Sequence, residues 1–192
     1  MKIDKLYYQQ KDVVKIAREL LGKYLYTRIG GKVITAGIIT ETEAYAGAID
    51  KASHAYGNKR TKRTEVMFHE GGVAYVYLCY GMHSLFNIVT NKEDIPDAVL
   101  IRGIKPMEGV DLMLKRTNKK KVSKDFSNGP GKVTKALGID CKHTALDLTG
   151  NKIWLEDKGF EVKKNDIIIT PRIGIDYAGE DALLPYRFII NL

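Results

Sequence analysis

A glutamate at the end of a predicted strand, Glu43, is the clearest candidate for acid–base chemistry in this chain, and Glu41 lies two residues before it. The segment Thr40–Tyr45 reads Thr-Glu-Thr-Glu-Ala-Tyr. Side chains alternate along a strand, so both carboxylates and Tyr45 are expected on one face. A carboxylate held there can activate the water that hydrolyses an N-glycosidic bond, or stabilise the cationic sugar that forms. On position alone, an acid at a strand end is more often a solvated surface residue.

Three tyrosines crowd the next predicted hairpin, at Tyr75, Tyr77 and Tyr80. Tyr75 and Tyr77 face the same way along their strand, and core packing accounts for one of them. Tyr80 lies beside Gly81 at the predicted tip, where an exposed ring needs a partner such as a base stack. An enzyme that acts on a duplex base needs such a wedge, aromatic walls for the extruded base and cations along the DNA backbone.

Three further polar residues could serve the same chemistry: His54 in a basic loop, and Asn87 and Arg102 on later strands. Each has an ordinary alternative. An imidazole in a loop is more often solvated or packed than functional, while the amide and the guanidinium fit an edge group and a surface cation.

The segment Gly129–Lys132 is similar to the end of a phosphate loop, but a Walker A motif would need Gly at Phe126 and Ser or Thr at Val133. Nucleoside triphosphate binding is therefore disfavoured. Backbone N–H groups at this predicted helix start could hold a DNA phosphate, helped by Lys132 and Lys135. A plain helix start explains the segment equally well.

Charge is concentrated in the middle of the chain. The net charge is +8, which favours an anionic partner such as nucleic acid or a membrane surface. Residues 51–63 carry five cations and no acid, and residues 105–135 carry nine cations against three acids. No segment has the ~18 apolar residues of a membrane span, and the first residues lack a signal-peptide core. These features predict a soluble intracellular protein that does not engage a membrane.

Cysteine and histidine usage gives no sign of a metal or a cofactor. Cys79 and Cys141 stand far apart, without zinc-site spacing. The four histidines form no ligand cluster either. The prediction is a chain without a metal or a cofactor, with both thiols buried in a reducing compartment.

The elements that would position these residues follow from periodicity and turn signals. Asp12 caps a predicted helix that Gly22 ends, and Gly30–Gly31 is read as a two-residue turn between the first two strands. A long loop over residues 46–62 leads to a helical turn at residues 64–68. Strands are predicted at residues 24–29, 32–43, 73–79, 82–90, 98–105, 153–155, 167–172 and 187–190, with further helices at 108–116 and 130–137. This order predicts an α+β fold: one domain over residues 1–192, with a mainly antiparallel sheet, surrounding helices and a protruding hairpin.

Several of these motifs together resemble one known family, the alkyladenine (3-methyladenine) DNA glycosylases of the mammalian type, here in a compact form like that of bacteria. The similarity extends from the first helix to Pro171–Gly174 near the C-terminus. It is carried by the order and spacing of Glu41-Thr42-Glu43-Ala44-Tyr45, His54, Tyr75-Val76-Tyr77-Leu78-Cys79-Tyr80-Gly81-Met82, Asn87 and Leu100-Ile101-Arg102.

The resemblance implies a reaction and the residues that carry it. Glu43 matches the general base, and Arg102 and the main-chain carbonyl of Ile173 match the groups that hold the attacking water. The family is monofunctional, so the expected product is an abasic site formed without a Schiff base. Turnover of alkylated adenine is implied, while action on hypoxanthine or ethenoadenine stays open because those neutral bases leave less readily.

The resemblance also implies which residues form the pocket for the flipped base. Tyr45 would stack on one face of the flipped base, with His54 and Tyr77 on the other. Tyr80 matches the residue that fills the gap in the duplex. Asn87 matches the residue that discourages guanine through its exocyclic amine.

The implied partner is double-stranded DNA containing damaged purines, bound by a monomer in the bacterial cytoplasm at the nucleoid. Arg60, Arg63 and Lys132 are the predicted phosphate contacts. Glu65 departs from the family pattern, because vertebrate members carry a basic residue there. This change bears on DNA affinity more than on the reaction.

Two other functions are compatible with parts of the sequence. A non-catalytic nucleic-acid-binding module would keep the basic runs and Tyr80 but would have no use for Glu43. A nucleoside hydrolase would keep an acid but no wedge, and it usually needs an aspartate-rich calcium site that this sequence lacks.

Overall fold

The computed structural model describes residues 1–192, and its central feature is an eight-stranded sheet. The strands are β1 Tyr24–Thr27, β2 Thr35–Tyr45, β3 Ala74–Cys79, β4 His83–Thr90, β5 Asp97–Glu108, β6 Ile153–Glu156, β7 Ile168–Thr170 and β8 Arg187–Ile189. The helices are α1 Lys5–Tyr8, α2 Val13–Glu19, α3 Val110–Thr117 and α4 Pro130–Leu137. Short 3₁₀ segments cover Gly47–Ile49, Tyr56–Asn58, Glu65–Phe68, Cys141–His143, Lys164–Asp166 and Asp176–Leu183. None of the helices combines the length and apolar character needed to cross a membrane.

Every strand pair in the sheet is antiparallel, which confirms the predicted α+β class. The strand order is β3-β4-β5-β2-β1-β6, and β8 pairs with both β2 and β7. The far half of β2 is therefore held on both edges, with Glu43 opposite Leu100 of β5 and Arg187 of β8. The backbone of Glu43 is therefore held by strand pairing on both sides, which fixes the position of its side chain.

Helix α2 covers one face of the sheet and begins where Asp12 predicts. The Asp12 carboxylate accepts the Lys15 N–H at 2.9 Å, which caps the first turn. The helix buries Ile16 and Ala17 in the main core. The Thr42 hydroxyl donates to the Ala17 carbonyl at 2.7 Å. Since neighbours on a strand point in opposite directions, Glu41 and Glu43 face away from α2.

The β1–β2 connection differs from the prediction. Thr27 pairs with Thr35, so residues 28–34 form a longer loop and the expected two-residue turn at Gly30–Gly31 is wrong. A competing partner explains the difference, because the Ile29 carbonyl, on the β2 edge of β1, accepts from Arg116 at 2.6 Å. This carbonyl is then not free to extend the β1–β2 ladder, while the Arg28 N–H donates to the Lys152 carbonyl at 2.8 Å on the β6 edge.

Strand β5 is longer than predicted and delays the following helix. It extends to Glu108, which pairs with Ala36, so α3 begins only at Val110. Gly109 makes this junction with φ 65°, and a Cβ there would lie 2.3 Å from the Ile34 carbonyl oxygen. Only glycine fits such a position.

The β3–β4 hairpin is confirmed, with its tip at Tyr80 and Gly81. Cys79 pairs with His83, and the Met82 N–H donates to the Cys79 carbonyl at 3.1 Å. Tyr80 and Gly81 have φ values of 51° and 68°, as in the mirror-image turns that suit the twist of a hairpin. A bulky residue with positive φ is uncommon, and the Tyr80 side chain is 88% exposed.

Candidate active site

The carboxylate of Glu43 is completely buried near the end of β2. Its Oε2 accepts the Tyr45 hydroxyl at 2.8 Å, and its Oε1 accepts the Ile173 backbone N–H at 2.9 Å. The Arg102 Nε lies 3.4 Å from Oε1. Burial raises the pKa of Glu43 above its ordinary value, because the lowering by Arg102, the Ile173 N–H and the Tyr45 hydroxyl does not offset desolvation. A perturbed, fully held carboxylate of this kind is typical of a catalytic group.

A second carboxylate, Glu41, organises the cation beside Glu43. Its Oε1 accepts from Arg102 Nε at 2.9 Å and from Arg187 Nε at 2.7 Å. Arg102 therefore lies between two carboxylates that share one face of β2. Strand alternation gives Glu41 this face but no role. Arg187 was not predicted at all, because its only signal in the sequence is its place on a short strand.

An aromatic-lined cavity of about 880 Å³ lies next to Glu43, and the three residues that hold the Glu43 carboxylate, Tyr45, Arg102 and Ile173, are in its wall. Tyr45, His54 and Tyr77 contribute to its wall. The His54 and Tyr77 rings meet edge to face, with centroids 4.6 Å apart. The structure thus brings the three predicted stacking residues into one cavity that is large enough for a purine.

Asn87 and Arg102 line the same cavity from β4 and β5. The Asn87 side-chain amide donates to the Tyr75 carbonyl across the β3–β4 pair at 3.1 Å. This bond leaves the side chain little freedom to rotate away from the cavity.

Ile173 reaches the cavity from a C-terminal segment whose neighbouring residues had no predicted role. The preceding residue, Arg172, has a fully buried guanidinium that forms a two-pronged ion pair with the buried carboxylate of Asp50. Arg172 also donates to the Ala44 carbonyl at 2.9 Å and lies 4.8 Å from the centre of the Tyr45 ring. This ion pair, named here the Arg172–Asp50 clamp, fixes Ile173 against Glu43 and supports Tyr45 from behind.

The predicted DNA-contacting residues fall into two groups. Tyr80, Arg63 and Lys132 border the cavity, and Lys132 pairs with Asp125 at 3.0 Å. Arg60 does not line the cavity, because its guanidinium binds Glu65 at 3.1 Å and Asp94 at 2.9 Å. The acid at position 65 that departs from the family pattern is thus one of the residues that hold Arg60.

The acidic side chains of this region are arranged around an arginine. Glu41 and Glu43 both pair with Arg102. No group of three His, Cys, Asp or Glu side chains is placed to hold a metal ion.

Comparison with known proteins gives a consistent result along almost the whole chain. Residues 7–192 match the family model described as methylpurine-DNA glycosylase. A relative from Chlamydia felis is 47% identical over 97% of this chain and 94% of its own length. A relative from Clostridium perfringens is 45% identical over 96% of this chain and 93% of its own length. A relative from Bacillus licheniformis is 46% identical over 97% of this chain and 92% of its own length. All three bear the name 3-methyladenine DNA glycosylase.

Proposed function

Because the chain belongs to the methylpurine-DNA glycosylase family, we propose that it flips damaged purines from duplex DNA and hydrolyses their N-glycosidic bond with a water activated by Glu43. The chain is a DNA glycosylase, a hydrolase that acts in DNA repair. The observation that carries the proposal is a fully buried carboxylate, that of Glu43, whose three partners line an aromatic cavity that the exposed Tyr80 also borders.

Glu43 would act as general base. The attacking water would be held by Glu43, Arg102 and the main-chain carbonyl of Ile173. Its proton passes to the Glu43 carboxylate, its oxygen bonds to the sugar carbon C1′, and the electrons of the broken bond leave with the base. Arg102 stays charged and balances Glu43 until the proton arrives.

The aromatic wall would select the base. Tyr45 stacks on one face of the flipped purine, and His54 and Tyr77 contact the other. Alkylation at purine N3 or N7 gives the base a positive charge, which electron-rich ring faces attract and which makes the base a good leaving group. Asn87, held by its bond to the Tyr75 carbonyl, would disfavour guanine, whose exocyclic amine meets this wall.

The proposed substrate is double-stranded DNA, bound by one copy of the chain. Arg63 and Lys132 border the cavity and are proposed phosphate contacts. Arg60 would contribute less, since Glu65 and Asp94 already offset its charge.

The proposal is tested by base release from duplex oligonucleotides that carry 3-methyladenine, ethenoadenine or hypoxanthine, with an undamaged duplex as control. We expect free base and abasic sites, with no strand break before alkali treatment, and the fastest release for 3-methyladenine. If the protein binds these duplexes and releases no base, the proposal fails and a non-catalytic binding module is the better description. The raised pKa of Glu43 favours the enzyme, because a binding module has no need of a buried carboxylate.

Tyr80→Ala is expected to lower single-turnover base release, with enzyme in excess of the duplex but below saturation, by roughly ten- to a hundred-fold. The exposed ring would fill the gap left by the flipped nucleotide, and base–aromatic stacking is worth about 1–3 kcal/mol. Tyr80→Phe keeps the ring and should stay close to wild type. Equal release by wild type and Tyr80→Ala would remove Tyr80 from the flipping step.

A further inference from the structure

One hydrogen-bonded cluster in the cavity wall lies outside the proposed reaction. The His54 ring is held at both nitrogens: Nδ1 lies 2.8 Å from the Tyr75 hydroxyl, and Nε2 lies 3.2 Å from an Arg63 guanidinium nitrogen. The same guanidinium lies over the Tyr77 ring, 4.9 Å from its centre. Arg63, expected only to bind phosphate, therefore contacts two residues of the base-stacking wall.

The chemistry of these partners determines where the imidazole proton lies. A guanidinium has five N–H donors and no acceptor. Nε2 must therefore accept from Arg63, because a proton on Nε2 would bring two donors together at 3.2 Å. The remaining ring proton is then on Nδ1, which donates to the Tyr75 hydroxyl oxygen.

We propose that Arg63 is a positioning residue that holds His54 as the neutral tautomer protonated at Nδ1, so that the imidazole ring in this wall of the cavity carries no charge. The tautomer follows from the hydrogen bonds alone. Its consequence for base selection rests on the proposed function.

The surroundings of His54 support the neutral form. The groups that contact its ring are Arg63 from the same connecting segment and Tyr75 and Tyr77 from β3. None of them is a carboxylate that could stabilise an imidazolium. Burial, and after it the Arg63 charge, lower the pKa of His54 to about 4. The ring therefore stays neutral from about pH 5 upwards.

A neutral His54 matters for a purine that carries a positive charge. An imidazolium in the wall would repel an alkylated base at van der Waals distance, whereas a neutral ring presents its π electrons. The Arg63 charge is less costly to such a base, because the residue is exposed and water screens it. Loss of Arg63 should therefore penalise cationic bases at acid pH, where His54 can gain a proton, and leave neutral bases unaffected.

The tautomer is tested on the protein without DNA, by nitrogen-15 NMR of the imidazole rings, with the His54 signals identified by their loss in His54→Gln. We expect a pyrrole-type Nδ1 and a pyridine-type Nε2 between pH 5.5 and 8. In Arg63→Met the His54 pKa should rise by about one unit, and the tautomers should mix. Lys62→Met removes a neighbouring exposed charge and should change neither result. A protonated Nε2 in the wild type, or the same titration in wild type and Arg63→Met, would overturn the proposal.

The consequence is tested by single-turnover release of 3-methyladenine and hypoxanthine with saturating enzyme at pH 4.5 and 7.5. For Arg63→Met the ratio of the two rates should fall about three-fold at pH 4.5 relative to wild type, because the His54 pKa rises from about 4 by about one unit, and it should match wild type at pH 7.5. A ratio that does not depend on pH would refute the role in base selection. If the wild type releases neither base, the proposed function fails instead, and the NMR result on the tautomer still stands by itself.

Discussion

Glu43→Gln should lower the single-turnover rate of base release by about 10²–10⁴-fold, the range that general base catalysis contributes. The amide keeps the shape of the side chain and can still accept the Ile173 N–H, but it cannot take a proton from water. Duplex binding should change little, because the carboxylate is fully buried. Base release at saturating enzyme and duplex binding in the same buffer measure the two effects separately.

Glu41→Gln is the matched control, since Glu41 lies on the same strand face and shares Arg102. Its carboxylate is also bound by Arg187, so its loss should weaken the orientation of Arg102 without removing the proton acceptor. We expect a smaller decrease in rate than for Glu43→Gln. Equal losses in both variants would contradict the assignment of Glu43 as the base and would indicate that only the arrangement of Arg102 matters.

The raised pKa of Glu43 adds two expectations with defined signs. Base release should fall as the pH drops through this pKa, so the acid limb of the rate profile lies above that of an ordinary glutamate. A group with a raised pKa in the folded state favours folding when protonated, and this contribution is lost as the pH rises through the folded pKa. Glu43→Gln should therefore melt at the same temperature as wild type or higher at neutral pH.

Asp50→Asn is the second substitution with a large expected effect, here on stability. The Arg172–Asp50 clamp is fully buried, and removal of one partner leaves a charge without compensation. Breaking such a pair typically costs about 3–5 kcal/mol of unfolding free energy. Urea titration measures the loss, and Asp176→Asn on the exposed part of the same C-terminal segment should stay near wild type. A wild-type midpoint for Asp50→Asn would mean that the clamp contributes little to folding.

A double variant separates stability from positioning at the clamp. Asp50→Leu with Arg172→Met replaces the ion pair by apolar groups, an exchange that is often neutral or stabilising in proteins. We expect this variant to regain part of the unfolding free energy, because the Ala46 and Ala52 N–H groups lose the Asp50 carboxylate as acceptor, and not to regain the rate of base release. The reason is that a thioether in place of the Arg172 guanidinium cannot donate to the Ala44 carbonyl, so Ile173 is no longer fixed beside Glu43. Full recovery of the rate would show that the clamp acts only on stability.

Local rules were enough for the parts of the site that lie on one strand or one turn. Alternation along β2 placed Glu41, Glu43 and Tyr45 on one face, and in the structure Thr42 bonds in the opposite direction, to α2. Turn chemistry placed Tyr80 at a hairpin tip. Both follow from interactions between residues that are close in sequence.

The remaining features depend on partners that are distant in the sequence. Asp50 and Arg172 are 122 positions apart, and neither stands in a motif that predicts an ion pair. The β1–β2 loop was mispredicted because Arg116 binds the carbonyl of Ile29, a residue that periodicity assigned to the first strand. The density of charge in the sequence predicted Arg63 as a phosphate contact. It could not also predict that the Arg63 guanidinium hydrogen-bonds to His54.

The backbone of Tyr80 bears on the proposed insertion of its ring into the duplex. A tyrosine in the left-handed region carries a conformational cost that is already present before any duplex is bound. On the proposed function, the backbone of the hairpin tip therefore needs no change of conformation before the ring enters the base stack. The cost of shaping the tip falls on the folding of the protein and not on each encounter with DNA.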